Sequence, residues 1–283
     1  MAANAPKIRK VFCSGGHVTE GGWAISQSQR ADATHLHLLF AKGKRPDRAA
    51  VRAFAARQQA VGLSHGLQSD DVSLDDIVPA GQPIWAELLC DGLTFDLSGF
   101  APGLPSAFPA IAHRFDLAEL PAPDAYEALS IMPGPHLIAG ARSLPVVRAM
   151  LALARDLTLC FDDCPAVCWG PSHSAIGRRF FESVVTAWLD GGPFPALGLT
   201  AFSQTPDGAL ESVGLDFWIG QELRIEPPLS SDRVAATRLG IRLVNQLVLA
   251  GGLTADEWIT APDGSRLVLR PRRDRALIGV WRE

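Results

Sequence analysis

The reading of the fold starts from Gly214-Leu-Asp-Phe-Trp-Ile-Gly-Gln-Glu-Leu-Arg-Ile-Glu226, which is followed by Pro227-Pro228 and a long apolar stretch with helical spacing. Apolar and polar residues alternate from Leu210 to Trp218 and again from Glu222 to Glu226, so two strands are predicted. Gly214 and Gly220 interrupt them, as glycines do at a bulge or a close approach of two backbones. Phe217, Ile219 and Leu223 are the expected core residues. Glu222, Arg224 and Glu226 share the other face, where a cross-strand Arg–Glu pair is the plain expectation. The helix over Ser231–Ala250, carrying Val234, Leu239, Ile241, Val244, Leu247 and Val248, is expected to cover this strand pair.

Outward from this stretch, the C-terminal side reads as a hairpin. Glu257–Thr260 and Arg266–Arg270 turn at Pro262-Asp-Gly264, and a last strand covers Ala276–Trp281. On the N-terminal side, strands are expected over Ala196–Phe202 and Pro165–Trp169. A helix beginning at Ser172 or Ser174 has Ile176, Phe180, Val184, Val185 and Trp188 inward. Another, capped by Ser143 with Pro145 in its first turn, buries Val146, Met150, Leu153 and Leu157. Pro135–Ala139 reads as a strand before it. Nearer the start, Thr34–Phe40 is a buried strand, followed by a helix after Pro46 that runs to Val61 and ends at Gly62. Pro83–Cys90 and Leu93–Leu97 flank Asp91-Gly92, whose residues accept the positive φ angles of a type I′ hairpin. The segments 63–82 and 99–110 read as loops.

Strand–helix pairs followed by runs of strands imply an α+β fold with mostly antiparallel or mixed sheets. The beginnings at 34–61 and 135–158 also allow two related α/β halves. The expected organisation is an N-terminal arm over 1–33, an N-terminal subdomain over 34–130 and a C-terminal module over 131–283. The chain has 283 residues, of which 47% are hydrophobic and 20% charged, the balance of a globular protein with a full core.

The net charge of −4 is unevenly spread. Residues 61–130 hold eleven acids, among them Asp70, Asp71, Asp75 and Asp76, against the single base Arg114. Arg266–Arg282 holds six arginines, including Arg270, Arg272 and Arg273. The acidic block argues against nucleic acid and suits a basic protein partner; the arginines suit phosphate or an acidic protein. Their plainer reading is solvated faces that pair with one another. The N-terminus lacks an apolar signal-peptide core. The apolar run Val234–Leu253 contains Arg238 and Arg242, which a membrane-spanning helix would not place there. The expectation is a cytoplasmic protein whose five cysteines are reduced, with no membrane association.

For chemistry, Cys160, Cys164 and Cys168 are spaced by three residues each, which suits neither a zinc site nor an iron–sulfur cluster. His35 and His37 share a strand face but lack a third ligand at any telling spacing. No metal and no cofactor is therefore expected. Cys13-Ser-Gly-Gly-His17 places a thiol near an imidazole with nothing to orient the base. There is no nucleophile elbow, phosphate-binding loop, zinc-protease helix or dinucleotide fingerprint. Glu222 is the carboxylate left open for catalysis, with Glu211 or Asp216 as a second acid and His136 or His173 as further candidates.

The pattern Gly214-Leu-x-x-Trp-Ile-Gly-x-Glu-Leu-x-Ile225 resembles a strand motif of an uncharacterised bacterial family, in which a long helix follows the motif. Pro165–Trp169 and the His136 segment fall in the family's order, so the resemblance spans roughly 130–260. The family is distantly similar to suppressor-of-fused-type domains, and the bacterial members of that group often act as immunity proteins against secreted toxins. No catalytic residue accompanies the resemblance. Together with the acidic block and the absence of catalytic motifs, it implies a non-enzymatic protein that binds another protein, as an immunity protein or a secretion-system accessory factor does. The alternative is a hydrolase or transferase with a dispersed polar site around Glu222.

Overall fold

A computed structural model describes residues 36–58, 61–65, 84–261, 263–273 and 276–283. Leu36–Ala41 (β1) is the centre of an eight-stranded sheet in the order β2-β3-β4-β6-β1-β7-β8-β5. The other members are Val61–His65 (β2), Trp85–Cys90 (β3), Leu93–Ser98 (β4), His113–Phe115 (β5), Tyr126–Pro133 (β6), Ala166–Trp169 (β7) and Ser174–Gly177 (β8). A second sheet has six strands in the order β12-β13-β14-β11-β10-β9. It is formed by Ala201–Gln204 (β9), Leu210–Val213 (β10), Glu222–Ile225 (β11), Glu257–Thr260 (β12), Arg266–Pro271 (β13) and Leu277–Arg282 (β14). Pairing is antiparallel except between β5 and β8 and between β11 and β14. The architecture is α+β with mixed, mostly antiparallel sheets.

Alternation along β1 explains how the first sheet is covered. Leu36, Leu38 and Phe40 face the main core, where they meet Val51 and Phe54 of helix α1 (Arg48–Arg57) and Val147, Met150 and Leu157 of helix α2 (Leu144–Cys160). Helix α3 (Arg178–Leu189) adds Phe181, Val185 and Trp188. On the opposite face Leu39 joins a small second core with Ala128, Ala166, Cys168 and Ala175, covered by Phe108, Ile111 and Leu117 from the proline-rich connection. That connection is pinned by three hydroxyls, with Ser98–Ser130 at 2.8 Å, Ser106–Ser130 at 3.0 Å and Ser98–Ser106 at 3.2 Å.

The Asp91-Gly92 hairpin forms as the sequence predicts, with φ of 51° and 77°. The α2 stripe of Val146, Met150, Leu153 and Leu157 is buried as expected. Ser143 occupies the N-cap of α2, but its side chain makes no capping hydrogen bond. Other expectations are corrected. Pro135–Gly140 is a 3-10 helix rather than a strand, because its carbonyls bond locally, as Gly134 O accepts from Leu137 N at 2.8 Å. The two strand–helix beginnings therefore differ in kind. α1 stops at Arg57, and Val61 and Gly62 belong to β2. Ser174–Gly177 is a strand because β7 and β5 pair with it from both sides, and α3 starts only at Arg178. Val234 is exposed, and Ala236, Gly240 and Leu243 instead line the buried face of helix α4 (Arg233–Ala250). Residue 131 falls within β6, and the chain leaves the first sheet only after α3. The arm 1–33, with Cys13 and His17, lies outside the described residues.

The segment Gly214–Glu226 joins the two sheets. β10 ends at Val213, and Asp216–Ile219 is a single helical turn rather than a continuing strand. Trp218 on this turn stacks on Trp169 of the first sheet (centroids 5.8 Å apart) and meets Phe194 edge-on at 4.8 Å. Phe217 approaches Trp169 at 5.2 Å. Arg142, at the start of the α2 region, lies over the Phe217 ring and donates to the carbonyls of Phe217 (2.9 Å) and Asp216.

Candidate functional site

Glu222 is the sequence candidate that the structure resolves most fully. Its Oε1 accepts the amides of Gly214 (2.7 Å) and Asp216 (3.3 Å). Its Oε2 is bonded by the Ser212 hydroxyl and accepts the amide of Leu215 at 3.3 Å. Ser212 Oγ in turn accepts the amide of Leu223 at 2.7 Å. These amides start the helical turn 216–219, and a carboxylate at that position satisfies donors that the turn itself leaves open. Burial pushes the Glu222 carboxyl up to about 8, with neighbouring Asp216 acting in the same direction. The Ser212 and backbone hydrogen bonds oppose the shift. Both oxygens are occupied by the protein's own donors.

Of the other catalytic candidates, Asp216 lies beside Glu222, with its amide on the Glu222 carboxyl. His136 Nε2 lies 3.2 Å from the Thr94 hydroxyl on the first sheet, near Asp96. Burial, with Glu87 nearby, raises the carboxyl of Asp96. His173 adopts φ of 49°, and its carbonyl accepts the amides of Ala112 (2.8 Å) and His113 (3.0 Å). Burial and then the neighbouring His173 hold the His113 imidazole below its ordinary range. Glu211 pairs with Arg224 at 3.2 Å across β10 and β11. Arg224 also meets Glu226 at 3.0 Å and Asp207.

Of the cysteines, Cys164 and Cys168 are buried and Cys160 accepts from Arg57 at 3.0 Å. Cys168 stands opposite His37 across β1 and β7. Burial pushes the Cys164 thiol up to about 12 and raises that of Cys168 further, so both are held as thiols. No group of three or more metal-ligating side chains is found among the described residues. His35 lies outside them.

The acidic residues Asp70, Asp71, Asp75 and Asp76 also lie outside the described residues. The arginines lie on the C-terminal sheet. Arg270 pairs with Asp256 at 3.1 Å and approaches the Trp281 ring to 6.0 Å, Arg272 reaches Glu226 at 3.7 Å, and Arg273 is exposed. Trp258, Val268 and Trp281 stand side by side on neighbouring strands of the same outward face. Val268 is buried between the two tryptophans' strands, and Trp258 is 52% exposed. The Trp281 indole lies across Gly279, where a Cβ would collide with it. Among the described residues β12 pairs only with β13, so Trp258 sits on a free sheet edge.

The opposite, inward side of this hairpin borders a groove of about 530 Å3 with the first half of α4 as its other wall. Leu229, Ala236, Leu239 and Leu267 provide apolar lining, and Arg238, Arg242 and Arg282 stand along it. This feature escaped the sequence reading. Its trace in the sequence is the pair Arg238 and Arg242 within an apolar run. Among the described residues no helix is long and apolar enough to cross a membrane.

Compared with family models, with curated proteins and with solved structures, the chain finds no match.

Proposed function

We propose that the protein acts by binding another protein, without catalysis of its own, through the outward face and free edge of the C-terminal hairpin. The observation that carries this reading is Trp258, half exposed on edge strand β12 with Val268 and Trp281 beside it. Tryptophan and arginine are the residues that most often dominate binding energy at protein interfaces. A free strand edge offers unpaired backbone groups to an incoming strand. Arg270, Arg272 and Arg273 surround the face, so the partner surface it suits is acidic. The surface pair Arg270–Asp256 is weak enough to be exchanged for such a partner.

The resemblance at Gly214–Ile225 points the same way, since immunity proteins and secretion accessories work by binding. A hydrolase or transferase centred on Glu222 is the weaker reading, because four donors already occupy that carboxylate. The test is a photo-crosslinking residue placed at position 258 in the native cells, with position 249 on α4 as an exposed control. The expected result is a discrete adduct from 258 alone that is lost in the Arg270→Glu, Arg273→Glu variant. Equal labelling from both positions would sink the reading.

A further inference from the structure

We propose that the groove between α4 and the C-terminal hairpin binds a small organic anion, a carboxylate or phosphate carried on an apolar group. The site is separate from the protein-binding face. Leu267 and Arg282 line the groove, whereas Val268 and Trp281, the next positions along the strands, point to the other side of the sheet.

Three observations define the ligand. The first is charge. Arg238 and Arg242 lie one helical turn apart, both line the groove, and neither meets a carboxylate among the described residues. Like charges at this spacing disfavour one another unless a counter-charge joins them. The acids in the groove are already engaged. Asp232 accepts the amides of Val234 and Ala235 at 3.0 and 3.1 Å. Asp263 accepts the amide and hydroxyl of Ser265 at 3.0 and 2.6 Å and faces Arg282 at 3.7 Å. Three arginines therefore stand against two carboxylates in the lining, a net charge of +1 among the described residues.

The second observation is shape. At about 530 Å3, the groove falls in the range of small-molecule sites. The third is chemistry. Guanidinium groups match the planar or tetrahedral oxygens of carboxylates and phosphates, and the leucines beside them accept an apolar body. A bare ion would leave that lining unused.

The experiment is isothermal titration of the full chain at low salt with phenyl phosphate, benzoate, inorganic phosphate and hexaglutamate. Phenyl phosphate or benzoate is expected to bind at a single saturable site, and inorganic phosphate more weakly. The Arg238→Gln, Arg242→Gln variant removes two charge-assisted contacts and should weaken binding by at least about tenfold. Arg179→Gln, at an exposed position of α3 that does not line the groove, should leave it unchanged. Ala235→Trp fills the groove without removing charge and should also abolish binding. No saturable binding of either aromatic anion would overturn the assignment. So would binding indifferent to the arginine or Ala235 variants, inorganic phosphate bound as tightly as phenyl phosphate, or arginine-dependent binding of hexaglutamate alone. None of these outcomes bears on the cross-linking result at position 258.

Discussion

Gly214 donates its amide to Glu222 Oε1 at 2.7 Å, and this bond closes the segment between β10 and β11 onto itself. The same carboxyl gathers the amides of Leu215 and Asp216 and the hydroxyl of Ser212. Replacement by Ala leaves these donors buried without an acceptor, at about 1–3 kcal/mol for each group that water cannot reach. Glu222→Ala is therefore expected to lose about 3–4 kcal/mol in urea unfolding. Glu222→Gln keeps one oxygen for the Gly214 and Asp216 amides and turns an NH2 toward Ser212 Oγ. It is expected to lose no more than about 1 kcal/mol at neutral pH. Equal losses for the two variants would mean that Glu222 is held as an ion.

The same carboxyl makes stability depend on pH in a definite direction. In the unfolded chain it titrates near its ordinary 4.5, and in the folded protein burial raises it to about 8. Between those values the folded state holds a proton that the unfolded state has lost, so this group's contribution falls as pH rises and levels off above about 8. The loss is of order a few kcal/mol. The difference in unfolding free energy between the native chain and Glu222→Gln, measured from pH 5 upward, should show it. A difference flat with pH would contradict the shift.

Two glycines of the same segment should respond differently to alanine. Gly214 has φ of 87°, and a Cβ there would stand 2.8 Å from the Pro171 backbone and 2.9 Å from Ser172 Cα. Both the left-handed backbone and the overlap count against a side chain, and Gly214→Ala is expected to lose about 2–5 kcal/mol. Gly220 has φ of 74° but open space around it, so Gly220→Ala should lose only about 1–2 kcal/mol. Urea midpoints of the two variants give the order directly.

Arg224 holds three acids on the outward face of the second sheet, with Glu226 and Glu211 at 3.0 and 3.2 Å and Asp207 beside them. Its side chain is 11% exposed, while those of Asp207 and Glu211 are 65% and 35% exposed, so solvent screens part of the network. Arg224→Met is expected to lose about 2 kcal/mol at low salt, below the range for a fully buried pair. The loss should shrink at high salt, where repulsion among the three carboxylates is screened. A loss that grows with salt would contradict an electrostatic origin.

Where a residue's partners lie within a hairpin or a single helix, the sequence was enough to read the fold. Asp91-Gly92 and the α2 stripe belong to this kind. The run from Leu210 to Trp218 reads as one strand because its alternation persists past the point where the chain turns. Gly214 breaks it there through its contact with Pro171 and Ser172, more than forty residues earlier. Ser174–Gly177 likewise became a strand through β5 and β7 on either side. The candidate sites divide in the same way. Glu222 stood out as an acid among apolar residues, but its occupation by Ser212 and three amides depended on where the chain came to rest. The groove was illegible because its walls, α4 and the C-terminal hairpin, meet only in three dimensions.

By itself, then, the sequence determined the α+β class, the hairpins, the apolar stripe of α2 and the location of the arginines. These follow from short-range steric and hydrophobic periodicity. The tertiary structure decided that Glu222 gathers Ser212 and three amides at a turn, that Trp258 lies on an edge left free among the described residues, and that Arg238, Arg242 and Arg282 share one groove. Burial, hydrogen-bond saturation and charge compensation depend on which distant segments meet, and no spacing along the chain encodes that.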